Sequence, residues 1–162
     1  MVSRFLRHLL VPDWMARRAF PAVVLGRIEQ AIRESESLHR GEIRFAIEGG
    51  LSPVQLKLGT RSRARQVFAQ LGVWDTEENS GVLIYVQLVE RRIEIVADRG
   101  IAGRVAQSEW DAVCRAMEQA FKRGAYEAGT LEAIGAVTAI LSRHFPTGPR
   151  DANELPDKPV ML

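Results

Sequence analysis

Residues 82–89 admit only two polar side chains, Tyr85 and Gln87, in an otherwise apolar run. That is the pattern of a strand buried on both faces, and such a strand needs a covering layer on each side. Its neighbours supply the layers. Residues 22–37 place Val24, Leu25, Ile28 and Ile32 on one stripe, with Glu29, Gln30, Arg33 and Glu34 on the polar side. This is the spacing of a helix. Residues 42–48 alternate, Ile43, Phe45 and Ile47 against Glu42, Arg44 and Glu48, which is the period of a strand. Residues 62–72 return to helical spacing through Ala64, Val67, Phe68 and Leu71. After 82–89, a tight connection at Glu90-Arg91 leads into a second alternating strand, 92–98. Two helices follow, from about Ser108 (an N-cap with Asp111 three residues on) to Gly124, and from about Thr130 to His144.

The order helix, strand, helix, strand, strand, helix, helix sets the topology. Two strands flanking a helix should be parallel and joined by a right-handed crossover. The strand after the tight turn should be antiparallel. The expected fold is α/β: a single-domain α/β/α sandwich with a small mixed sheet covered by helices on both faces. Residues 1–21 form a basic amphipathic leading segment, 22–146 the α/β domain, and 147–162 an irregular tail containing Pro149, Pro156 and Pro159.

Sheet geometry then gathers acids. Parallel strands start at the same edge, so Glu42 and Gly81 share it. The hairpin brings Asp98 back toward that edge, paired near Leu83 if Glu90 and Arg91 form the turn. The loop preceding Gly81 reads Asp75-Thr76-Glu77-Glu78-Asn79-Ser80. Clustered carboxylates repel one another, and the remedies are a bound cation, a shared proton or arginine partners. An all-oxygen set of Asp75, Glu77, Glu78, Asn79 and Asp98 suits Ca²⁺ or Mg²⁺. Glu42, Trp74 (pinning the base of the loop) and Arg99 would stand around it. The alternative is a solvated acidic loop paired to Arg92 and Arg99. No helix–loop–helix calcium pattern is present.

Charge and motifs narrow the function. The formal net charge of +2 is too small for a nucleic-acid surface, and basic residues do not interleave with aromatics for base stacking. The leading residues are more telling, because Arg4, Arg7, Arg17, Arg18 and Arg27 face only Asp13. Phe5, Leu6, Leu9 and Leu10 lie between arginines at helical spacing. This segment either docks on its own domain or contacts a membrane surface or membrane protein through Arg4, Arg7, Arg17 and Arg18. It has no separate apolar core or cleavage site of a secretory signal, so the expected address is the cytoplasm, with a peripheral place at the inner membrane as an option.

Several other signals read as structural. One cysteine, Cys114, excludes an internal disulfide and reads as a buried thiol. His8, His39 and His144 lack ligand spacing, and His39 reads as a cation at a helix C-terminus. Trp14, Trp74 and Trp110 read as packing anchors. The Gly100 and Gly103 turn lacks a third glycine and a parallel strand–helix–strand unit, so it is not a dinucleotide fingerprint.

The chain resembles the TPM domain family, specifically its compact bacterial branch without a transmembrane tail. The matching pieces are 39–48 (HRGEIRFAIE), 64–71, 74–86 (WDTEENSGVLIYV), 93–101, Trp110, His144-Phe145-Pro146 and 153–157 (NELPD). Ser80 is a mild departure. The resemblance implies an α/β/α fold with a short mixed sheet and members that bind divalent cations. It also implies chloroplast relatives linked to photosystem repair and to a proposed acid phosphatase activity. The functional expectation is therefore a divalent-cation-binding interaction module. The alternative is a metal-assisted acid phosphatase, with Asp98 as base or nucleophile and Arg40, Arg92 and Arg99 as phosphate-gripping groups.

Overall fold

The central strand, β2 (Gly81–Gln87), is buried at all seven positions, as is its parallel neighbour β1 (Glu42–Glu48). Their register runs from Glu42 opposite Gly81 to Glu48 opposite Gln87. On the other side of β2 lies β3 (Arg92–Ala97), antiparallel. The computed structural model describes residues 3–149 and 152–162. Across them the sheet has four strands in the order β3-β2-β1-β4. The fourth strand, β4 (Val160–Met161), pairs parallel to β1 at Ala46 and Ile47.

One face of the sheet presents Ile43, Phe45, Ile47, Val82, Ile84, Val86, Ile93 and Ile95. It is covered by α3 (Ala22–Glu36), α7 (Gln107–Lys122) and α8 (Tyr126–His144). The other face presents Ala46, Leu83, Tyr85 and Val96 to α5 (Thr60–Gln70) and to Leu155 of the tail. The α/β sandwich with helices on both faces is therefore the fold, and the parallel and antiparallel pairings are those expected.

The alternation in β1 does not expose its polar face, as alternation usually does, because charged partners cover it. Arg63 of α5 is buried against Glu48, with Nη2 donating at 2.6 Å and Nε at 2.9 Å, and the Tyr85 hydroxyl donates to the same carboxylate. Arg44 donates to the Lys158 carbonyl at 3.0 Å and to the Pro156 carbonyl. The tail is thus a strap across this face and ends as a strand. No alternation marks it, because only two of its residues join the sheet.

Several elements differ from expectation. The turn between β2 and β3 spans Leu88–Arg91 rather than two residues, with Arg91 at φ +53°. The longer turn moves the pairing by two, so that Val96 faces Leu83 and the Asp98 N–H donates to the Gly81 carbonyl at 2.9 Å. Helix α7 starts at Gln107 after Ala106, so Ser108 is inside the helix and caps nothing. Helix α8 begins at Tyr126, one turn before Thr130.

Four short helices complete the chain: α1 (Arg4–Leu9), α2 (Asp13–Ala19), α4 (Pro53–Leu58) and α6 (Arg99–Ala102). In α4, Ser52 and Gln55 form a reciprocal capping box with Pro53 at the first position, a start signal legible in the sequence. No helix among the described residues is long and apolar enough to cross a membrane.

Candidate functional site

The loop before β2 is built on two buried hydroxyl residues. The Ser80 N–H donates to Thr76 Oγ1 at 2.9 Å, and the Asn79 N–H donates to the Thr76 carbonyl at 3.2 Å. Asn79 is held at φ +52°, a conformation asparagine tolerates better than most side chains. This curl turns the Glu78 and Asn79 carbonyls toward the turn that leaves β3. There the Gly100 N–H donates to the Asn79 carbonyl at 3.0 Å. A Cβ on residue 100 would lie 2.4 Å from the Glu78 carbonyl oxygen and 2.6 Å from that of Asn79. Glycine is required by this close approach.

Asp98 caps α6. Its Oδ1 accepts the Arg99 N–H at 2.7 Å, while its Oδ2 is buried with no hydrogen-bond partner among the described residues. The Arg99 side chain reaches across the gap to donate from Nε to Asn79 Oδ1 at 3.0 Å. Asn79, Asp98 and Arg99 are therefore brought together.

The other acids share the edge but not one point. Glu78 is paired with Arg40 at 2.7 Å. Asp75 and Glu77 are exposed, and the Glu77 N–H is taken by the Glu154 carboxylate at 2.7 Å. Glu42 points to the tail, where its Oε2 accepts the Leu155 N–H at 3.2 Å. Among the described residues, no three His, Cys, Asp or Glu side chains gather as a ready-made ion cage.

Four expectations are corrected. Trp74 is 55% exposed, and the anchoring role falls to the adjacent Val73, which is fully buried. Trp14 is likewise exposed, whereas Trp110 is buried as expected. Arg92 begins β3 and Asp98 follows its end, so the strand separates them by roughly 20 Å. Arg92 stands instead beside Glu118. His39 is no surface cation: the Gly41 N–H donates to its Nδ1 at 3.1 Å, leaving Nε2–H for Ser35 Oγ at 2.8 Å. Burial lowers its pKa to about 4, so the ring is neutral.

A second carboxylate group joins the expected Glu42 to two acids, Glu36 and Asp157, that are not among the expected site residues. Glu36 and Glu42 lie under the tail, where the tail's own Asp157 joins them beside Arg44, and Glu36 Oε1 accepts the Ile43 N–H at 2.8 Å. Burial, with Glu42 and Asp157 nearby, pushes Glu36 up to about 9, and a hydrogen bond to Asp157 holds its proton. Burial also raises Glu42. A signal is present in the sequence: Val24, Ile28, Ile32 and Glu36 recur every four residues, which puts Glu36 on the buried stripe of α3. A polar cleft of about 550 Å³ runs from Glu36 and His39 past Glu42 to Arg40 and Glu78, with Asn153 and Glu154 on its far wall.

The sequence pattern of the TPM domain matches residues 19–140. This chain belongs to the TPM domain family. Among solved structures it is similar to the BA42 protein of the psychrophilic bacterium Bizionia argentinensis. The two are 30% identical, with a TM-score of 0.77 over 88% of this chain and 95% of that one. It also shares its fold with the N-terminal domain of a protein from P. gingivalis, at 17% identity and a TM-score of 0.62, over 91% of this chain and 100% of that one. The N-terminal domain of the cg2496 protein of Corynebacterium glutamicum has it too, at 14% identity and a TM-score of 0.56, covering 82% and 81%. No curated protein matches the chain. The TPM domain match covers the loop, the β3–α6 turn and the buried face of α3, and leaves α1 outside.

Proposed function

We propose that this TPM domain is a divalent-cation-binding interaction module, holding Ca²⁺ or Mg²⁺ where the 75–80 loop meets the β3–α6 turn. One observation carries the reading: Asp98 Oδ2 is buried without a donor. Leaving such an oxygen unsatisfied costs about 1–3 kcal/mol or more, a cost that a hard cation removes. Carbonyls of Glu78 and Asn79 lie against the same turn, and oxygen donors of this kind are what such ions take. Asp98 would hold the ion through Oδ2, with Asn79 and the exposed carboxylates of Asp75, Glu77 and Glu78 as further oxygen donors. The Arg99–Asn79 bond fixes the amide, and Arg40 restrains Glu78. When bound, the ion supplies the positive charge that this rim otherwise draws from two arginines. It would tie the loop to the sheet and present a cation-dependent surface to a partner.

Metal-assisted phosphoryl transfer is the second reading. It needs cationic groups at liberty to grip phosphate oxygens. Arg40 and Arg99 are occupied by Glu78 and Asn79, and Arg92 is at the far end of β3, which favours binding over turnover.

The test is calorimetric titration of Ca²⁺ and Mg²⁺ into the wild type and into Asp98→Asn, which keeps the capping oxygen but loses the charge. Ion at about ten times its Kd should stabilise the wild type by about 1.4 kcal/mol and leave the variant unmoved. Absence of heat and of any stabilisation in the wild type sinks the proposal. Metal-dependent hydrolysis of a generic phosphate ester that Asp98→Ala abolishes would transfer the case to the phosphatase reading.

A further inference from the structure

Helix α1 is docked inside out. Its polar His8 is 3% exposed, while Phe5, Leu6, Leu9 and Leu10 face solvent, the last two at 67% and 68%. Hydrophobic burial alone would rotate this helix the other way. A polar lock prevents it. The Leu51 N–H donates to His8 Nδ1 at 3.1 Å, and His8 Nε2 stands 3.3 Å from Glu90 Oε1. Arg4 also grips Glu90, with Nη2 at 2.9 Å from Oε2. A side chain at Gly50 would strike the His8 carbonyl oxygen at 2.6 Å, so the helix backbone lies directly on the sheet's end. Helix α2 continues the exposure with Trp14 and Met15. Six of the twelve large apolar side chains exposed among the described residues fall within residues 5–15.

Charge at this end is mostly positive. Arg7, Arg17, Arg18, Arg91 and Lys122 have no ion pair among the described residues, and Arg7, Arg91 and Lys122 line one cleft beside Glu90. Against them stand Asp13 and a Glu90 already taken by Arg4. The acidic rim lies at the opposite end of the sheet, roughly 20 Å away along β1 and β2, beyond the ~8 Å screening length of physiological salt.

We infer that the α1–α2 pair is a docking surface for an anionic phospholipid bilayer. Apolar side chains on a short helix enter the headgroup region while flanking arginines meet lipid phosphates, the composition of an interfacial helix. Here the helix is pre-oriented by His8 and Glu90 and has no need to fold on arrival. Arg4, occupied by Glu90, orients the helix, and Arg7, Arg17 and Arg18 carry the attraction. The acidic rim then points away from the membrane, where anionic lipid cannot oppose it.

The test is cosedimentation with vesicles at low salt and with chelator present, so that cation binding plays no part. Phosphatidylglycerol–phosphatidylcholine vesicles should retain the wild type, and pure phosphatidylcholine should hold it about tenfold less. Leu9→Ser/Leu10→Ser and Arg17→Glu/Arg18→Glu should each lose about tenfold while melting as the wild type does. Wild type left in the supernatant, equal retention on neutral vesicles, or full retention of the leucine variant overturns the inference. So does release by inorganic phosphate at matched ionic strength, which would mark a soluble-anion site. A wild-type dimer in sedimentation velocity that the leucine variant abolishes would assign the face to self-association instead.

Discussion

Glu36→Gln should make the protein more stable at alkaline pH while changing little under acidic conditions. The folded domain keeps a proton on Glu36 up to about pH 9, whereas an unfolded chain releases it near the ordinary value of 4.5. A carboxyl raised in this direction contributes its full stability below the unfolded pKa, and the contribution is lost as pH climbs toward the folded one. Between pH 5 and pH 8 the wild type should therefore lose about 4 kcal/mol that glutamine, which does not ionise, cannot lose. The substituted glutamine would keep an oxygen for the Ile43 N–H and gain an amide to donate to Asp157, so the variant retains the geometry of the protonated acid. His39, lowered by burial, titrates alike in both proteins and cancels. Urea unfolding at pH 5, 6.5 and 8 measures the effect. A gap between variant and wild type that widens toward pH 8 supports the buried proton. A gap that stays constant across the series refutes it.

Other perturbations reach the remaining parts of the account. Gly100→Ala places a methyl 2.4 Å from the Glu78 carbonyl oxygen, so the loop must withdraw; stability should fall by about 1–3 kcal/mol and Ca²⁺ affinity about tenfold, read by calorimetry. Arg63→Ala strands the Glu48 carboxylate in the core beside Tyr85 and should cost about 3–5 kcal/mol in chemical denaturation.

The sheet was legible because its signals are local and repeated. Residues 42–48 alternate, 82–89 do not, and a helix between them dictates parallel pairing. The shared edge followed from that topology: the Asp98 N–H bonds the Gly81 carbonyl, and the next two residues, Arg99 and Gly100, meet Asn79 of the 75–80 loop. What escaped depended on contacts between distant segments. The hairpin register is the local exception: it moved by two because the turn takes four residues, Leu88–Arg91, and ends on Arg91 at positive φ with no glycine or asparagine there to signal it. The polar face of β1 is buried only because Arg63, Pro156 and Lys158 arrive from elsewhere to meet Glu48 and Arg44. Helix α1 shows the same limit in reverse. Its apolar stripe predicts the inward face, yet one histidine bonded to Leu51 and Glu90 outweighs it. Trp74 has the size of an anchor for the loop, but its neighbour Val73 performs that role.

Backbone amide shifts under Ca²⁺ or Mg²⁺ titration test the central claim most directly. A cation held by Asp98 and the loop should move the resonances of residues 75–81 and 98–100 saturably, and leave those around Glu36 and Asp157 in place. Shifts confined to the Glu36–Asp157 cluster, or no saturable shift anywhere, would contradict it.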